Sequence, residues 1–515
     1  MGLSQNHKIH TASLQVQFEG MEEDFGLQER LALVFHEKVK PALEKELDEL
    51  ADPNTTWVID SLVLDCGFLP SENWEEILHQ KILEEIRNEL ESLPAGKSTV
   101  LSKKEKAREV FFFFIERGFF PWNSPFSKPL ELETEAYLDR QFLGKLSHSY
   151  KKNSLIRDRL FSSFSVAFIA KIVGAIGEIS NPKIPGLFKH FQQHAHRNIQ
   201  KELLSAFLSY PVFQKTISDN EFLILLIAKL DGENLQILAD YLGSEVTADD
   251  QFLRSLVMLF LNIPNPHVFK KMKLLTETLQ KRHPGILEKA GFSAAEFESG
   301  EPFDSFLKDE KKDVGETHSK KDFGRPDEIS SDSKTQKPNS EIIENLGTEN
   351  EIFIENAGLV LLHPFLADLF NSVRLTENGK FFASSDQQLA ARVLQFLVYG
   401  ENELSENYFV FNKILCGMGV SEVLDVATEL SPELKEECVA LLQAVIGHWS
   451  ILKNTSVDGL RETFLQRSGR ISRVEKGWKL VVERKAVDVL LNKLPWGIGI
   501  VKLPWMNEMM YVEWN

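Results

Sequence analysis

At 515 residues the chain exceeds one ordinary domain, and its 43% hydrophobic content is enough for more than one core. A formal charge of −18 and a pI near 5.3 repel phosphate backbones and argue against nucleic acid as a ligand. Three scattered cysteines, Cys66, Cys416 and Cys438, argue against a disulfide framework or a cysteine zinc site and fit a reducing compartment.

In chain order, alternation at Leu14, Val16 and Phe18 predicts a strand over 14–19, and a second is predicted over 57–65, ending at Gly67. Between them Leu27, Leu31, Val34, Val39, Leu43 and Leu47 keep helical spacing, with Pro41 as a kink or a new start. Helical spacing returns over 74–93. Residues 1–97 therefore read as a strand–helix–strand–helix α+β module. From 98 to 307 the chain reads as helices. Ser102 with Glu105 has the pattern of a capping box, and Gly118 and Pro121 close the helix that follows. The most apolar stretches, 166–179 and 222–230, are shorter than the ~20 residues of a membrane span and read as buried helices. No signal-peptide core precedes them, so a soluble protein is expected.

Residues 308–347 are dominated by charged and small polar side chains. They hold too little apolar area to offset the entropy of ordering, which predicts a disordered linker. Residues 348–515 form a second α+β block. A short strand leads into a helix reaching Phe370. Ser384 to Gln387 offers a capping box for a helix stopped by Gly400, and Ser431-Pro432 and Ser456 open two more. Short strands are predicted at 478–483, 498–501 and 509–514. The expected fold class is mainly α with small α+β modules at both ends, multi-domain, with a helical middle region and a disordered charged linker.

Catalytic patterns are missing. His190 and His194 are spaced i, i+4, but His196 points elsewhere and two helix-spaced ligands do not close a metal site. His7 and His10 are weaker still, His448 reads as a core-edge residue, and Cys416 as a buried thiol. No phosphate-binding glycine loop or nucleophile elbow stands in a strand–turn–helix setting. No enzyme activity, metal, cofactor or small-molecule substrate is expected.

The end of the chain repeats Leu-Pro-Trp, at 494–496 and 503–505, and Pro121-Trp122 echoes it. Proline fixes φ and removes a donor, so each copy should end one element and begin another. Trp496 and Trp505 then pack on the helices before them and close the domain. The other reading is a partner-docking edge, with Trp122, Trp496, Trp505 and Met506 as candidate interaction residues.

Several long segments occur together in one known family. "HKIHTASLQVQFEG" (7–20), "IDSLVLDCGFL" (59–69), "FFFFIERGFFPW" (111–122), "IENAGLVLLHPFLADLF" (354–370), "NKILCG" (412–417), "HWSILKNTSVDGLRETFLQRSGRI" (448–471) and "LPWGIGIVKLPWM" (494–506) resemble the tape measure proteins of bacterial extracellular contractile injection systems. These systems are phage-tail-like particles. The likeness covers most of 1–125 and 350–510. It implies a non-enzymatic structural or assembly component that sets inner-tube length, with tube, cap or baseplate proteins as partners. It also implies action without a membrane, in the cytoplasm of the producing bacterium, the protein being left there or packaged in the particle. As one helix the chain would span ~770 Å at ~1.5 Å per residue. Its prolines, glycines, tryptophans and compact-looking ends are not what an extended tape needs. A globular assembly chaperone or adaptor is therefore the alternative.

Overall fold

The computed structural model describes residues 7–9, 12–17, 26–50, 52, 55–70, 73–91, 98–180, 186–187, 189–191, 226–228, 230–244, 266–286, 351–400, 405–424 and 429–514. The linker expected at 308–347, and His194 and His196, lie outside the described residues. Within them the fold is mainly α with small β modules, as the sequence patterning predicts.

The first helical run continues through Pro41. Helices Leu27–Val34 and Lys40–Leu50 are joined by a π turn, Phe35–Val39. The wide turn falls immediately before the proline, which has no N–H to donate, so the ladder loosens without ending. Together with helix Trp74–Glu91 this run buries Val34, Val39, Leu43, Leu78, Ile82 and Ile86.

Strand β1 (Thr55–Ile59) pairs antiparallel with β2 (Ser98–Ser102), placing Trp57 opposite Val100. This differs from the expected order. Residues 14–17 belong to no strand, and residues 61–70 run on from β1 without one. Alternation marks which side chains share a face, but it supplies no neighbouring edge. The partner of β1 lies just past residue 97 instead. Ser102 then caps helix Lys103–Arg117 as expected. Its Oγ accepts from the Glu105 N–H, the Glu105 carboxylate accepts from the Ser102 N–H, and Gly118 ends the helix at φ +84°.

By contacts the chain divides into two compact units. One is residues 138–349; the other joins residues 1–137 to residues 350–515. Described helices of the first are Arg140–Lys152, Ser154–Ser163, Val166–Ser180, Gly232–Ser244 and Pro266–Arg282. The Asp139 carboxylate caps the first by accepting from the Phe142 N–H at 2.7 Å. The last two lie against each other, with Arg282 bonded to Asp240 and to Gln236.

In the composite unit, β3 (Glu351–Ile354) leads through the 3₁₀ helix Ala357–Leu362 into helix His363–Ser372. A small hairpin follows, β4 (Thr376–Glu377) and β5 (Lys380–Phe381), then helix Ser384–Tyr399. Ser431 caps helix Pro432–His448 through the Leu434 N–H. Ser456 caps Val457–Leu460, which continues as a π turn to Leu465. A five-stranded sheet completes the block in the order β3, β6 (Gly469–Val474), β7 (Gly477–Val482), β9 (Met509–Glu513), β8 (Ile500–Val501). All its pairings are antiparallel except β7 with β9. Phe119, from the N-terminal stretch, is buried in the same core as these elements, and the Asn407 side-chain amide donates to the Ser127 carbonyl.

Candidate functional site

The two Leu-Pro-Trp copies grip one helix. Trp496 meets Phe365 edge-on at 5.0 Å near the start of His363–Ser372, and its indole N–H donates to the Leu361 carbonyl at 3.0 Å. Trp505 lies 5.2 Å from Phe370 near the end of that helix and 5.1 Å from Phe381, and its N–H donates to the Leu415 carbonyl at 2.7 Å. Phe365 and Phe370 are separated by ~7.5 Å of helix rise. Both rings are half-buried with their polar atoms satisfied, the usual fate of tryptophan in a core margin. Met506 is buried, its sulfur accepting from the Leu503 N–H. Trp122 sits half-buried in the loop after helix Lys103–Arg117.

Around the second copy an open cleft of about 460 Å³ is lined by Phe381, Phe382, Gln387, Pro504, Trp505 and Met506, with Lys380 at its side. Phe382 is exposed there, while the Gln387 amide is already used on the Cys416 carbonyl. Two glycines allow the close approach. Gly417, at φ +71°, would place a Cβ 2.9 Å from the Trp505 carbonyl oxygen, and Gly379 would place one 2.7 Å from Pro504. The hairpin that supplies Phe381 was not foreseen. Its signal is Asn378-Gly379, whose two positive φ values, 51° and 76°, suit a two-residue hairpin turn.

The segments that carry the family likeness also supply Asn356, Asn412, Lys413 and Arg467, all buried polar residues. The Asn356 amide donates to Asn412 Oδ1 at 2.7 Å, and the Asn412 amide donates to Gln395 Oε1 at 2.7 Å. Lys413 pairs with Glu406 at 2.7 Å, both fully buried. Arg467 holds both carboxylate oxygens of Asp488, whose Oδ2 also accepts from the Trp514 indole. The contacts from Asn356 and Arg467 were not legible beforehand, because each joins elements well apart in the chain; Lys413 and Glu406 lie only seven residues apart.

Of the residues weighed for chemistry, those described sit against packing neighbours or at the surface. Cys416 is fully buried, and burial holds its thiol well above the ordinary range; burial pushes Cys438 up to about 12. Neither is poised as a thiolate. His448 is exposed against Phe365, and His190 lies beside Tyr241. Burial lowers the pKa of His363, against a weaker upward pull from the Val360 carbonyl that its Nδ1 contacts. Among the described residues no group of three or more His, Cys, Asp or Glu is arranged to hold a metal, and no helix is long and apolar enough to cross a membrane.

What the fold builds is a stapled, polar-pinned core with an aromatic cleft at its margin. A family description, contractile injection system tape measure protein, matches residues 6–514, nearly the whole chain. The chain belongs to the contractile injection system tape measure protein family, and its role in such a system is structural. No curated protein and no solved structure matches it.

Proposed function

We propose that the protein helps set the length of the inner tube of a contractile particle, with the composite unit as anchor and residues 138–349 as spacer. The family match across both ends and the middle supports this reading. The shared unit changes the arithmetic of a ruler. Roughly 210 residues leave the anchor and return to it, so as continuous helix they reach only about 160 Å, half of a single ~320 Å span at ~1.5 Å per residue. Tube, cap or baseplate subunits are the partners, and the Trp505 cleft is their docking point. The protein works in the cytoplasm of the producing bacterium and is carried in the particle.

In-frame deletions confined to 138–349, with particles imaged for length, test this. The expected slope is at most ~0.75 Å of particle per residue removed, against ~1.5 Å for a ruler that spans once. Unchanged length with fewer particles overturns length-setting in favour of a globular assembly factor. The co-folded ends are the observation that favours that second reading.

A further inference from the structure

Two strand-patterned segments near the N-terminus belong to no ladder, residues 12–17 and 61–66. In the second, Leu62, Leu64 and Cys66 pack on the helical cluster while Ser61, Val63 and Asp65 face outward. That is the period of a strand with one face buried. The segment is held in place. Lys81 Nζ donates to the carbonyls of Cys66 and Phe68 at 2.8 and 3.1 Å. The Asp65 carboxylate accepts from the Gly67 N–H at 2.9 Å, with Gly67 at φ +58°. Val63 is 79% exposed and Phe68 82%, the highest values among the described large apolar residues. The neighbouring β1–β2 sheet has two strands, short of the three or more that usually stand alone, and its opposed Trp57 and Val100 are both exposed.

Among the described residues the module thus presents a fixed, extended edge with exposed apolar side chains and no strand beside it. The same chain carries an alternating segment that pairs with no described strand, with Leu14 and Val16 exposed. We infer that residues 12–17 of one copy add as a β-strand to the 61–66 edge of a second copy. Backbone pairing supplies the affinity of such an addition, and the alternating side chains its register. Charge favours this donor. The receiving edge carries exposed Asp60 and Asp65 in a chain of net charge −18, whereas residues 7–17 contain no acid. The donor is also presented from a fixed root, because His7 bonds to Asp48 and Lys8 to the Ser124 carbonyl. Six residues give a strand of ~20 Å, an ordinary length. Donor and acceptor are different surfaces, so the contact is head-to-tail and continues into a ring or filament.

Light scattering on the full chain after size-exclusion chromatography tests this. The wild type should show masses at multiples of the monomer that rise with concentration. The donor variant L14K/V16K and the acceptor variant V63K/F68K should each run as monomers with unchanged circular dichroism, because all four positions are exposed. Mixed together, they retain one intact interface and should form a dimer and nothing larger. A wild type that stays monomeric, a variant that still associates, or a mixture that stays monomeric overturns the proposal. So does a monomeric wild type that instead binds purified tube subunit through Val63 and Phe68.

Discussion

Lys413 and Glu406 face one another inside the core with essentially no solvent, so their pairing offsets part of the cost of burying each charge. Removing one partner takes that compensation from the other inside the core, whereas removing both leaves an apolar pair. Lys413→Met alone should therefore lower unfolding free energy by about 3–5 kcal/mol in denaturant titrations. Adding Glu406→Met should restore most of that loss. Equal losses in the single and double variants would mean that the pair is not coupled. Lys413 stands in the motif NKILCG, and nothing in that motif marks its charge as buried; Glu406 and the Val420 carbonyl, each seven residues away, meet its ammonium.

At the scale of elements, helix Ser384–Tyr399, the 3₁₀ helix Ala357–Leu362 and the π turn Arg461–Leu465 lie against one another. A Cβ on Gly358 would sit 1.6 Å from the Phe464 carbonyl oxygen, so the backbones themselves would have to separate. Gly358→Ala should cost more than the ~1–3 kcal/mol typical of overpacked side chains, because no rotamer can relieve it. Thermal unfolding of the variant measures this, and a midpoint within a degree or two of wild type would refute it. Helices were the legible elements here. Their signals are local, as in the Ser102–Glu105 box, the Ser431-Pro432 start and the stops at Gly118 and Gly400. Ser384 itself proved one residue late: the Asp386 carboxylate accepts from the Ala383 N–H, and the cap lies at Ala383. Strand partners were not legible, since β3 pairs with β6 from more than a hundred residues away and β7 takes β9 in parallel. Leu14 and Val16 alternate as well as any strand in the chain, yet no described neighbour receives them. The Leu-Pro-Trp repeat was half legible. Its packing role follows from proline and tryptophan chemistry, but the helix it grips does not.

At the scale of the molecule, the first 137 residues and the last 166 belong to one unit, so the covalent order of the chain is not its physical order. A protease site inserted near residue 320 and cut to completion should leave the two fragments eluting together without denaturant. Release of a free C-terminal fragment would contradict the shared unit. The same arrangement has a consequence in time. At ~5–20 residues per second, the ribosome needs ~20–80 s after Phe119 is made to finish the core cluster it joins. Until residue 351 is reached, the phenylalanine-rich helix Lys103–Arg117 has none of its C-terminal neighbours, and the set is complete only at the end. The stretch between the two ends is then complete before the unit that joins them can close.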